Sequence, residues 1–112
     1  MTTITQAQLV APMQLGAADG AVYTAPTQTT AKIGRAVFTN TSASAITITA
    51  GITPGGALGA STTLIPARPI APGESYVSPE LAGAVIPAGS QIHAHASAAA
   101  SVTFTASGLV VQ

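Results

Sequence analysis

Two histidines stand two residues apart in His93-Ala94-His95. On an extended strand that spacing puts both imidazoles on one face, roughly 7 Å apart. Two imidazoles can begin a zinc site, but a closed structural site takes four ligands. The chain has no cysteine, and no acidic residue lies near the pair in sequence. A solvent-side strand face produces the same spacing, so no metal is expected unless a symmetric oligomer gathers several pairs. The acids are Asp19, Glu74 and Glu80. Glu74 follows Pro72-Gly73 and Glu80 follows Pro79, so both read as turn residues rather than as an acid/base pair. No serine sits in a nucleophile motif, and one Asp with two His does not spell a hydrolytic triad. The segment 51–59 holds four glycines but no following lysine and no helix start, so it reads as turns rather than a phosphate loop. Arg35 and Arg68 remain. On a nearly neutral surface a guanidinium can make a directed contact to a partner's carboxylate or carbonyl. A solvated strand or loop arginine is the plainer alternative. The expectation is a protein without catalytic residues and without cofactors.

The background to those residues is unusual. Only six of 112 residues carry a formal charge, and they cancel to zero. A soluble domain normally spends about 25% of its residues on Asp, Glu, Lys and Arg. Those charges hydrate its surface and hold copies apart. Here Thr, Ser and Gln supply the polarity, which suits a surface that sits against other protein. Three cations and zero net charge exclude an electrostatic nucleic-acid footprint. The start of the chain lacks a basic segment followed by an apolar run, so it does not read as a signal peptide. No uninterrupted apolar stretch of about 18 residues suggests a membrane helix. The length predicts one small domain burying roughly 65% of its unfolded surface. Two Phe, two Tyr and no Trp leave the packing to Ile, Leu and Val. A thin core with an uncharged surface favours extra burial through oligomerisation or docking.

The elements that must position these residues are strands. Residues 1–18 show weak periodicity and read as an N-terminal arm, with a short strand over Gln6–Val10. Asp19-Gly20 is a turn signal, and residues 19–112 read as the folded domain. Ala21–Thr24 is a strand that stops at Pro26. Ala31–Thr39 is another, with a bulge near Gly34 because Ile33 and Phe38 disagree in parity. Ile46 and Ile48 alternate with Thr47 and Thr49. The two strands around the polar loop 40–44 suggest a hairpin. Ser61–Ile65 is a strand broken by Pro66 and Pro69, Ser75–Val77 is a short one, and Leu81–Ile86 is a further candidate. Pro54-Gly55-Gly56, Pro72-Gly73 and Pro87-Ala88-Gly89 are turns. Gln91–Ala96 and Val102–Val111 alternate again. No segment keeps helical spacing over ten residues. Eight or nine short strands between turn signals predict an all-β antiparallel sandwich, jelly-roll-like.

From Tyr23 onward the order of segments resembles a group of small tailed-phage virion proteins. Val22-Tyr23-Thr24-Ala25-Pro26 opens the domain. Val37-Phe38-Thr39-Asn40-Thr41-Ser42 leads into Ala45-Ile46-Thr47-Ile48-Thr49. Ile70-Ala71-Pro72-Gly73-Glu74-Ser75 precedes Ile86-Pro87-Ala88-Gly89-Ser90-Gln91-Ile92. Ala94 to Phe104 then closes on Ser107-Gly108. The resemblance implies a capsid decoration (cement) protein, a head-fibre base or a small tail protein, with a β-sandwich or jelly-roll core and no catalytic residues.

The expected function is therefore a bacteriophage structural protein that stabilises the capsid by binding between major capsid subunits. It would act as a dimer or trimer on the capsid surface of the virion, after synthesis in the host cytoplasm. No nucleic acid, membrane or small-molecule partner is expected. The expected interface residues are Ile4, Leu9, Val10, Met13 and Leu15 of the arm, with Arg35 and Arg68. A tail or fibre-base protein is the alternative within the class. A carbohydrate-binding β-sandwich is the alternative outside it, and would need exposed aromatic platforms where only Tyr23 and Tyr76 are available.

Overall fold

A computed structural model of the chain describes residues 3–112. Nine strands form two antiparallel sheets: β1 (Ile4–Gln14), β2 (Ala21–Thr24), β3 (Thr30–Asn40), β4 (Ile46–Thr53), β5 (Thr63–Ile70), β6 (Ser75–Val77), β7 (Val85–Ile86), β8 (Gln91–Ala96) and β9 (Val102–Val111). One sheet runs β1-β9-β3-β6, with the short β7 also on β3, and the other runs β2-β8-β4-β5. Every connection crosses from one sheet to the other except the β4–β5 hairpin and the step between β6 and β7. That alternation is the jelly-roll arrangement, in which two Greek keys wrap around one core.

Period-two patterning drives the inner faces together. Ile46, Ile48 and Ala50 of β4 are buried, as are Ala36 and Phe38 of β3 and Val102, Phe104 and Ala106 of β9. Phe38 and Phe104 are direct cross-strand partners, and their rings stack with centroids 4.5 Å apart. The expected bulge near Gly34 is present as a shift of register between Ile33 and Arg35. Gly108 lies opposite it, and its missing side chain matters. A Cβ there would overlap the Lys32 carbonyl oxygen and lie 2.8 Å from the Gly34 nitrogen.

Four readings from the sequence need correction. Residues 4–14 form no irregular arm: they are an edge strand of the larger sheet, paired with β9 from Ile4↔Val111 to Gln14↔Thr103. Two breaks in register, between Ala7 and Val10 and between Val10 and Met13, blur the alternation that would have announced it. Met1 and Thr2, the first residues of that expected arm, lie outside the described residues. Second, β3 and β4 are no hairpin, because they belong to opposite sheets. Third, β5 runs through Pro66 and Pro69 rather than stopping at them. It is an edge strand, where a missing N–H can face solvent. A bulge there puts Ala67 at φ 43° and lets its N–H donate to Oγ1 of Thr49. Fourth, only Val85 and Ile86 of the segment 81–86 are extended.

The corner from β3 to β4 depends on one side chain. Asn40 is fully buried. Its Nδ2 donates to the carbonyls of Ser44 (2.7 Å) and Ile70 (2.9 Å), and its Oδ1 accepts from the N–H (2.9 Å) and hydroxyl (2.7 Å) of Ser42. All four capacities of the amide are used. The side chain thereby ties β3, the 41–45 loop and the end of β5 into one joint. At the opposite end of the same sheet, Thr3 and Gln112 exchange both backbone hydrogen bonds.

Candidate functional site

His93 and His95 do not stand on an open strand face. β8 is an inner strand of its sheet, and the turn before β2 bonds along it, the carbonyls of Gly20 and Gly16 accepting from the N–H groups of Ala94 and Ala96, which brings Asp19 to the histidines. His93 is 6% exposed. Its Nδ1 lies 3.2 Å from both carboxylate oxygens of Asp19, and its Nε2 lies 2.8 Å from Oε1 of Gln91. His95 turns Nδ1 toward the same carboxylate at 3.9 Å, and that nitrogen has no hydrogen bond. Asp19 also accepts the N–H of Leu58 at 3.1 Å, which tethers the β4–β5 loop. Burial alone would raise the Asp19 carboxyl. The Leu58 N–H, the His93 hydrogen bond and the charges of His93 and His95 outweigh it and hold the carboxyl below its ordinary value of 3.8.

An Asp–His contact can orient a general base, but the base then needs its other nitrogen free to take a nucleophile's proton. Here Gln91 holds that nitrogen. Among the described residues, no group of three or more His, Asp or Glu side chains is arranged to hold a metal ion. The cluster is a clasp between the β1–β2 turn, β8 and the β4–β5 loop. The sequence reading missed Asp19 because it lies 74 residues from His93. The Asp-Gly turn signal marks its position but not its partner.

Arg68 is also placed by a contact that the sequence did not announce. Its guanidinium carbon lies 4.1 Å from the ring centroid of Tyr76. β5 and β6 belong to different sheets, so this cation–π contact clips the two sheets together along one edge. The Tyr76 hydroxyl donates to Glu80, which also accepts from Ser78 at 3.3 Å. That Tyr76 bond, ahead of the opposing effect of burial, holds the Glu80 carboxyl below its ordinary range. With Tyr76 covered by Arg68 and Tyr23 partly buried, neither tyrosine presents the open platform that stacks on a sugar ring.

The seven expected interface residues separate into two groups. Leu9, Val10 and Leu15 are buried in the protein's own core. Ile4 is 65% exposed and Met13 39%. Arg35 is exposed on β3, while Arg68 is exposed but engaged with Tyr76. The outer face of the larger sheet carries what remains. Ile4, Leu109 and Val111 lie at one end of it, with Val85 beside Lys32 and Val77 beside Val37. Threonines 39, 103 and 105 occupy the other end of this face. Among the described residues its only charged side chains are Lys32 and Arg35, because Asp19 is bound at β8 and Glu74 and Glu80 lie in the turns flanking β6. An open concavity of about 530 Å³ sits where Arg35 and the two bulges meet, lined by Gln6, Gln8, Ser107, Gly108 and Leu109 among others.

These features define an all-β jelly-roll protein with a charge-poor, apolar and cationic sheet face. Comparison with solved structures agrees on the fold. The chain superposes with a TM-score of 0.55 and 17% identity on a chain of infectious bursal disease virus, Gx strain, covering 99% of this chain and 32% of that one. The crystal structure of the infectious bursal disease virus VP2 subviral particle gives the same TM-score and identity over 98% of this chain and 32% of that one. This chain thus spans about a third of the length of those neighbours. No protein-family model matches the chain, and no curated protein sequence matches it significantly.

Proposed function

We propose that this protein is a structural component of a virus particle, and specifically a bacteriophage decoration protein that binds the outside of the capsid between major capsid subunits. One observation carries the reading. The outer face of the larger sheet displays Ile4, Val77, Val85 and half-buried Leu109 and Val111 beside its threonines, with two cationic side chains and no acidic one among the described residues. An exposed apolar face rimmed by polar residues marks a protein-binding surface. The two cations select a partner surface bearing carboxylates. The jelly-roll fold shared with chains of virus and subviral particles supports the viral setting by analogy of fold. The resemblance of the segment order to small tailed-phage virion proteins supports the phage setting. Binding that exists only on the assembled shell stabilises that shell by mass action.

The test is electron cryomicroscopy of the particle that contains this chain, paired with co-sedimentation of the purified protein with expanded shells lacking it. Density on the outer lattice, bridging subunits through the face that bears Lys32 and Arg35, is the expected result. Density in a tail, or no co-sedimentation at any salt concentration, overturns the reading. The double substitution Lys32→Glu, Arg35→Glu is expected to weaken shell binding at least tenfold while leaving the fold intact.

A further inference from the structure

We propose that this protein forms a two-fold symmetric dimer by pairing residues 3–8 of β1 with the same segment of a second copy. The inference does not depend on the capsid reading. It rests on how the edges of the two sheets are finished. Edge strands expose unpaired N–H and C=O groups, and proteins blunt them with short length, proline, bulges or charge. Three of the four edges here are blunted in this way. β6 has three residues and β2 four, and β5 carries Pro66, Pro69, a bulge and Arg68. The second half of β1 is blunted too, by two bulges and Pro12. Residues 3–7 keep a regular register up to the first bulge, which begins at Gln8, and residues 3–8 carry no proline and no charged side chain.

The direction of the free groups follows from the ladder. Thr3 and Gln112 exchange both backbone bonds, and the register continues through Thr5↔Val110 and Ala7↔Gly108. Alternation then turns the N–H and C=O of Ile4 and Gln6 away from the sheet, and the first bulge begins at the next outward position, Gln8. An antiparallel pair centred on Gln6 sets Gln6 against the partner's Gln6, and Ile4 against the partner's Gln8. Each copy then contributes a projecting Ile4, 65% exposed, and receives the other's beside Gln8 at the rim of the concavity that Gln6, Gln8, Gly108 and Leu109 line. Knob and hollow lie on one segment, so a single two-fold axis satisfies both, as an isologous interface requires. That self-complementarity is what selects a second copy over an unrelated strand. The nearest charged residues on this sheet, Lys32 and Arg35, stand on β3, two strands inward from β1 and roughly 12 Å from the axis at the backbone. Arg35 shares the lining of the concavity, and the like charges of the two copies stand on opposite sides of the axis, beyond a Debye length from each other.

The chain has no cysteine, so one introduced thiol reports the contact. Residues facing each other across a hydrogen-bonded antiparallel pair have Cα atoms about 5.5 Å apart, inside the roughly 4.4–6.8 Å range of disulfides. The wild-type chain is expected to sediment as a dimer at tens of micromolar. Gln6→Cys is expected to oxidise to a disulfide-linked dimer at least tenfold faster than Ala71→Cys, whose thiol would lie on an exposed loop by the Asn40 corner. Gln6→Pro removes the outward N–H and is expected to sediment as a monomer with an unchanged circular dichroism spectrum. Should that variant not fold, Gln6→Lys reads the same contact by placing like charges on the axis. A monomeric wild type overturns the proposal. So does a dimer that survives Gln6→Lys, or equal cross-linking of the two thiols.

Discussion

Replacing Asn40 by alanine should cost more than any other single truncation of a polar side chain in this protein. The substitution removes both donors and both acceptor positions of a fully buried amide. The Ser44 carbonyl keeps a partner, because the Ser42 hydroxyl lies 2.9 Å from it and gives it its single proton once Asn40 Oδ1 is gone. The Ile70 carbonyl loses this bond in a place water does not reach, and the half-buried Ser42 N–H loses its acceptor. One buried orphan costs about 1–3 kcal/mol. The vacated side-chain volume adds on the order of 1 kcal/mol. The expected total is about 3 kcal/mol, or a fall in Tm of roughly 10–15 °C for a domain of this size. Urea unfolding followed by far-UV circular dichroism measures it, with the slope m held common to both proteins. Two companions sharpen the test. Ser42→Ala, at the half-exposed side of the joint, should cost about 1 kcal/mol. Asn40→Asp at neutral pH should cost more than Asn40→Ala, because it sets a carboxylate against two carbonyl oxygens and cannot donate. A loss under about 1 kcal/mol for Asn40→Ala, or an Asn40→Asp protein as stable as wild type, would show that the corner is held by something else.

Other outcomes follow from the same geometry. Gly108→Ala is expected to destabilise by about 2 kcal/mol, since the new methyl meets backbone of the adjoining strand at a bulge. Gly16→Ala, which meets nothing within 4 Å, should be neutral in the same thermal melt. The Asp19 carboxyl is held below its ordinary value, so its contribution is complete above pH 3.8 and is lost as pH falls through the lowered value. Asp19→Asn should therefore flatten the acid limb of a stability–pH profile below about pH 4 and speed hydrogen exchange at Leu58. Arg68→Lys should lower stability by about 0.5–1 kcal/mol through the lost contact with Tyr76, measured by urea unfolding, and a double cycle with Tyr76→Leu should remove the difference.

Much of this fold is written in two kinds of local signal. The clean alternation of Ile46-Thr47-Ile48-Thr49 gave β4 its inner face, and the proline–glycine turns recur as Gly55, Gly56, Gly73 and Gly89 at positive φ. The parity conflict between Ile33 and Phe38 marks the bulge that falls between Ile33 and Arg35. The failures come from information that is not local. β1 was illegible because two bulges set Leu9 and Val10 side by side in the core, against the alternation of an ordinary strand. The 40–44 loop looks the same whether its flanking strands share a sheet or change sheets, and only the burial of Asn40 distinguishes the two. The pairs Asp19–His93 and Arg68–Tyr76 are set by sheet order, which the spacing of residues along the chain does not encode.

The exchange of backbone bonds between Thr3 and Gln112 has a geometric consequence. Chain enters and leaves the body side by side, at the pole opposite the Asn40 corner. About ten strand residues, or roughly 30 Å, separate the two. Anything joined to either end emerges at that one pole. The turns around 16, 42, 73 and 98 lie toward the other and are bonded to one another, the Ala100 N–H donating to the Leu15 carbonyl, the Thr41 N–H to that of Ser101 and the Gly73 N–H to that of Asn40. The two poles are thus unlike: one holds both ends of the described chain, and the other is closed by turns bonded to one another around Asn40.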